Sequence, residues 1–136
     1  MEDFTVKFEN GRIVSVAAKK NEAILKKLVD TDEGSHRLGE VALVPVSSPI
    51  AKRGHLFYNT LFDENASCHI AIGRGYRFTL TGGEELTDEE FNAAGGNTSL
   101  THVDFMIGSP QMDIDGIRED GTPEPVMRSG EWAFDV

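Results

Sequence analysis

The chain has 136 residues, with 13 Lys and Arg against 23 Asp and Glu and a formal net charge of −10 at pH 7. That balance argues against nucleic acid or an anionic membrane as partner, because phosphate contacts need clustered Lys and Arg. Apolar residues make up 39% of the chain, enough for a globular core within one domain and too many for a disordered one.

The only basic clusters, Lys19-Lys20 and Lys26-Lys27, read as the solvated face of a short helix. Cys68 is the single cysteine, so no intrachain disulfide can form, which points to a reducing compartment. No apolar run is long enough to span a bilayer, and no charged, apolar leader opens the sequence. The chain reads as cytoplasmic.

In chain order, FTVKFENGRIVSV (residues 4–16) alternates apolar and polar residues around Asn10-Gly11. Both turn residues tolerate positive φ, so this is a β-hairpin with Phe4, Val6 and Phe8 on one face. NEAILKKLVD predicts a short amphipathic helix, with Asn21 as N-cap and Ile24, Leu25, Leu28 and Val29 on one stripe. Glu40 then opens a strand, VALVPV, which Pro45 confines to a sheet edge or end. A short strand is expected around HLFY (residues 55–58), and FDENASCHIAIG (62–73) reads as a helix ended by Gly73. YRFTL (76–80) alternates like a strand. TDEEFNAA has capping-box spacing, Thr87 with Glu90, before the stop at Gly95-Gly96. HVDFMIGS (102–109) is strand-like, and turns follow at Glu119-Asp120-Gly121 and Arg128-Ser129-Gly130. The reading is α+β: mostly antiparallel strands with about three short helices.

Four polar residues stand out. His102 and Asp104 are two apart in a strand, so they project to the same face. If that face is buried, both need partners, and a divalent cation satisfies imidazole and carboxylate together. If it faces solvent, water satisfies them equally well. His69, in CHIAIG, reads either as a core histidine bonded to backbone or as a ligand. Glu40 either marks a site or is solvated. Cys68 reads as a small buried apolar residue.

Two motifs mislead. DIDGIREDGTPE (113–124) begins like a calcium loop, but Ile117 and Arg118 occupy positions that need a ligand and a turn glycine. It is a hairpin. GRGYR is not a phosphate-binding fingerprint, and Gly73 and Gly75 there end a helix and permit a turn.

Longer words are more informative than spacing. GEVALVPVSSPI, FYNTLFDENASCHIAIGRGY and SLTHVDFMIGS, in that order, closely resemble the aminopeptidase T family, the thermophilic-type metalloaminopeptidases. DIDGI and EDGTPEPVMRSGEWAF resemble the end of those proteins. The resemblance implies peptide substrates with a free N-terminus and two divalent ions, drawn from zinc, cobalt, manganese or magnesium. It implies Glu40, His69, His102 and Asp104 as metal ligands, with Glu40 expected to bridge and Asp104 a further candidate bridge, and Tyr76 as a catalytic residue. A homodimer is implied as well. It further implies that residues 1–136 are a single domain, equivalent to the C-terminal catalytic portion. The family's N-terminal domain and a further glutamate ligand then belong to sequence upstream, which agrees with a chain that opens directly in a strand pattern.

Overall fold

The computed structural model describes residues 2–135. They fall into two units, one reaching to Val41 and resuming over Ile70–Asp104, the other formed by Ala42–His69 and the residues from Phe105 onward. Among the described residues the elements are antiparallel sheets and four short helices, the α+β class expected from the sequence.

The first unit opens with the expected hairpin, β1 (Glu2–Glu9) and β2 (Arg12–Lys20), paired antiparallel with Val6 opposite Val16. Asn10 and Gly11 form its turn at φ 50° and 74°, both left-handed, which matches the right-handed twist of the strands. Lys19 and Lys20 therefore end a strand and do not belong to a helix. Helix α1 (Glu22–Val29) packs on β2 and buries Leu25 and Val29. Its apolar stripe is narrower than the spacing predicts, for Ile24 stays 59% exposed. Asn21 holds the N-cap position with φ 63° but makes no side-chain cap bond. Its carbonyl accepts the Ile24 and Leu25 N–H groups.

Three further strands form one sheet in the order β3 (Leu38–Ala42), β4 (His69–Gly73), β5 (His102–Met106). Gly73 N–H donates to Arg37 O and Arg74 N–H to Thr101 O, so the end of β4 lies beside the starts of β3 and β5. Strand β4 thus runs antiparallel to both. The sequence placed a helix over residues 62–73. In the structure only its first part is helical, as α3 (Thr60–Asp63) and a 3₁₀ turn at Glu64–Ala66. Extended Ser67 then leads into the strand, where Ala71 and Ile72 are fully buried. β-Branched isoleucines pack well on a buried pleated surface, and this preference outweighs the helical spacing. Gly73 ends this strand, not a helix. It sits at φ 102°, and a Cβ there would collide with the Thr101 carbonyl.

Strand β3 starts two residues before Glu40 and stops at Ala42, so VALVPV is not one strand. Within the second unit, Val44 N–H turns to Cys68 Sγ at 3.2 Å. YRFTL is a 3₁₀ turn (Arg77–Thr79), held as Thr79 Oγ1 donates to Tyr76 O at 2.6 Å. HLFY is irregular, because Asp63 accepts the Phe57 and Asn59 N–H groups and Tyr58 adopts φ 56°. The capping box of α4 (Asp88–Ala93) forms as expected, with Thr87 and Glu90 reciprocally bonded.

The second unit also carries α2 (Pro49–Arg53) and the meander β6 (Ile114–Ile117), β7 (Pro123–Arg128), β8 (Glu131–Trp132). Its turns fall at the two glycines expected, Gly121 and Gly130. Cys68 is buried there, with Sγ 3.8 Å from Met127 Sδ. No helix among the described residues is long and apolar enough to cross a membrane.

One polar cluster positions the start of β5. Asp32 accepts from Ser35 N and Oγ at 2.8 and 3.0 Å, from Ser99 Oγ at 2.9 Å and from Leu100 N at 2.7 Å. Fully buried Ser35 also meets Thr101 Oγ1 at 2.9 Å. Burial pushes the Asp32 carboxyl up, but the donors from Leu100, Ser99 and Ser35 together outweigh it and hold the pKa down at about 2, from an ordinary 3.8. A folded-state pKa below the unfolded one stabilises at neutral pH and is lost as acid protonates the native carboxylate. Asp32→Asn is expected to lower the unfolding free energy by about 1–2 kcal/mol at pH 7, after allowing for solvent screening. Urea melts across pH should show this gap closing as pH falls from the normal aspartate range to about 2.

Candidate metal centre

Glu40 lies in β3, and His102 and Asp104 lie in β5, with β4 between the two strands. Neighbouring strands are about 4.8 Å apart, so backbones two strands away are roughly 10 Å apart. Only long side chains leaning toward one another can meet across that gap. They do: one ligand atom from each of Glu40, His102 and Asp104 lies within 4.8 Å of the others.

The geometry around the imidazole defines its tautomer. His102 Nδ1 is 2.6 Å from Arg74 O. A carbonyl only accepts, so Nδ1 carries the hydrogen and the neutral ring has its lone pair on Nε2. That nitrogen is 3.3 Å from Glu40 Oε2 and 3.5 Å from Asp104 Oδ1. Among the described residues Asp104 Oδ1 is buried and accepts no hydrogen bond. Acceptor atoms from three residues therefore converge, one of them a buried carboxylate oxygen lacking the donor such groups normally find. A divalent cation fits this donor set: imidazole and carboxylates are its ligands, and a ligand histidine normally turns its other nitrogen to a backbone carbonyl or carboxylate.

Tyr76 joins the same group. Its Oη is 3.4 Å from His102 Nε2, and the two ring centroids are 4.9 Å apart. The ring also stacks on Phe78 at 5.2 Å. The first unit thus brings together Glu40, Tyr76, His102 and Asp104. His69 belongs to the second unit, where it is 1% exposed and has Nδ1 3.0 Å from Ser67 O. Both candidate histidines therefore turn Nδ1 to a backbone carbonyl and carry the lone pair on Nε2.

The sequence did not reveal Arg74, whose contribution to His102 is a backbone carbonyl and leaves no trace in residue type. Nor did it reveal Asn97, whose Nδ2 donates to Gly34 O at 2.9 Å and to Gly73 O at 2.6 Å. Asn in a glycine-rich loop (AAGGNTS) is a faint signal for such bridging.

The family model described as Thermophilic metalloprotease (M29) matches residues 1–132. The chain belongs to this family. Among M29 relatives, Aminopeptidase AmpS of Bacillus subtilis (strain 168) is 62% identical over 134 residues, 98% of this chain and 33% of that protein. Aminopeptidase T of Thermus aquaticus is 55% identical over 134 residues, 98% of this chain and 32% of that protein. A solved structure, wild-type AmpT from Thermus thermophilus, superposes with a TM-score of 0.87 at 55% identity. It covers 98% of this chain and 32% of its own. The chain spans about a third of the length of these relatives. A divalent metal belongs to M29 chemistry, and the acceptor cluster above suits one.

Such a cluster is costly without a cation. Added cobalt or zinc is therefore expected to raise the melting temperature of the chain by several degrees at 100-fold excess over Kd, about 2.7 kcal/mol by mass action. Asp104→Asn should remove that rise while leaving the melting temperature in chelator unchanged or higher. A metal-induced rise of equal size in the variant would count against the site.

Proposed function

We propose that this chain is the metal-holding part of an aminopeptidase, which hydrolyses the N-terminal peptide bond of peptides bearing a free amine. The observation that carries the reading is the convergence of Glu40 Oε2, His102 Nε2 and the unbonded Asp104 Oδ1. The substrate class is suggested by relatives named aminopeptidases. Glu40, His69, His102 and Asp104 would hold the metal, as two ions. The candidate ions are zinc, cobalt, manganese and magnesium; imidazole favours the transition ions, and magnesium would rest on the carboxylates. When bound, such a pair lowers the pKa of a shared water and polarises the scissile carbonyl.

The residues of this chain do the rest. The Arg74 carbonyl fixes the His102 tautomer and aims Nε2. The centre that Glu40 and Asp104 would hold receives the free amine end of the substrate. Tyr76 Oη, beside the ligand histidine, donates a hydrogen bond to the carbonyl oxygen as negative charge develops on it. The same reading takes the protein as cytoplasmic, in keeping with a buried free thiol at Cys68, and as a homodimer, in keeping with the motif resemblance.

A second reading is favoured by one observation, that the chain spans about a third of its relatives' length. On that reading it is a metal-binding module without turnover of its own.

Release of a chromophore from an aminoacyl p-nitroanilide, in added cobalt or zinc, separates the two. The first reading expects Tyr76→Phe to lower kcat by about 10²–10³-fold with metal affinity retained, the size typical of one lost oxyanion donor. It expects His69→Ala to abolish both activity and full metal loading. Rates equal to those of His69→Ala in a wild-type chain that still binds metal would leave only the second reading standing.

A further inference from the structure

Tyr76 borders a second feature. It lines a cavity of about 600 Å³ in the first unit, together with Asp32, Arg74, Arg77, Asp88, Phe91 and Leu100 among others. That volume suits a small organic ligand or a short peptide. Its charged walls are almost all occupied. Asp32 is filled by four donors from Ser35, Ser99 and Leu100. Glu33 is bidentate to Arg12 at 2.9 and 3.1 Å. Arg77 is bonded to Asp88 and to Leu86 O, and lies over the Phe91 ring at 4.7 Å. The exception is Arg74. Its backbone is fully engaged, with N–H on Thr101 O and O on His102 Nδ1, but its guanidinium makes no ion pair or side-chain hydrogen bond among the described residues.

We propose that the Arg74 guanidinium is a binding site for a carboxylate of the peptide substrate, received in this cavity. The inference rests on the aminopeptidase reading for the identity of the ligand. A guanidinium presents paired N–H donors that match a carboxylate in a bidentate fork, which an ammonium cannot do. Residue 74 also sets the spacing. Its carbonyl holds the ligand histidine and its side chain holds the carboxylate, so amine and carboxylate subsites are tied to one residue. An extended peptide covers about 3.5 Å per residue, so a dipeptide is the shortest probe that carries both groups. Both a free C-terminus and an acidic side chain supply this group.

NMR titration of the metal-free chain reads binding without hydrolysis. The probes are Leu-Gly as free acid, Leu-Gly amide and Leu-Glu amide, followed at the Arg74 to Arg77 and Leu100 amides. The free acid is expected to bind at least about tenfold tighter than the amide. Arg74→Gln should bring that ratio near one, and Arg74→Lys should restore only part of it. Recovery of affinity by Leu-Glu amide assigns the site to an acidic side chain, and no recovery assigns it to the C-terminus. Equal binding of acid and amide in the wild type, or a preference that survives Arg74→Gln, overturns the proposal. A chain that keeps the Arg74-dependent preference yet hydrolyses no aminoacyl amide when loaded with metal overturns the peptidase reading instead.

Discussion

The hydrogen bond from His102 Nδ1 to the Arg74 carbonyl is the constraint on which the candidate centre depends. It decides which nitrogen is a donor, and so turns the other into an acceptor among acceptors. Without it the ring could flip or change tautomer, offering N–H to Glu40 or Asp104 and satisfying them as an ordinary buried pair. The bond exists because the end of β4 is tied on both sides. Arg74 N–H is fixed to Thr101 O, Gly73 N–H to Arg37 O, and Asn97 clamps Gly73 O. Backbone this firmly held leaves the carbonyl of Arg74 one direction in which to point.

Two polar clusters in the same unit show how similar composition leads to different roles. Around Asp32, each carboxylate oxygen meets donors, from two backbone N–H groups and two hydroxyls. Such a cluster is complete in itself and orders the chain: it joins the loop after α1 to the residues that open β5. Around Asp104 the neighbours are the His102 nitrogen and, across it, the Glu40 carboxylate, and among the described residues its buried Oδ1 finds no donor. Local stability would select against that arrangement, since a buried acceptor without a partner costs on the order of 1–3 kcal/mol. It is the acceptor excess, more than the presence of acidic residues, that points to a cation.

Where the sequence was legible, local chemistry and tertiary demand agreed. Asn10-Gly11 needs left-handed backbone and is found in the turn that supplies it, and Thr87 with Glu90 closes its capping box. The period of two in HVDFM put His102 and Asp104 on one face, though nothing in that period said whether the face met water. Where the sequence was misread, burial outweighed spacing. CHIAIG has a pattern open to helix or strand, and full burial of Ala71 and Ile72 in the middle of a sheet settles it as strand. YRFTL alternates, yet Thr79 bonds its own loop and Arg77 is drawn to Asp88, so the segment curls into a turn. That curl is what brings Tyr76 onto His102, a meeting that alternation as a strand would not have produced.

The same logic explains why one part of the centre could be named from the residues and another could not. Glu40, His102 and Asp104 carry their chemistry in their side chains, so residue type and motif words were enough to single them out. The element that gives them meaning, a carbonyl at position 74, is common to all twenty residue types and is specified only by the fold. The side chain at 74 is then free to vary without disturbing the histidine beneath it. An arginine there, with its guanidinium unpaired among the described residues and beside a cavity whose other charges are engaged, is a choice that the candidate centre does not require. Its reason has to be sought in what the cavity receives, and an anionic group is the partner for which a fixed, planar cation is best suited.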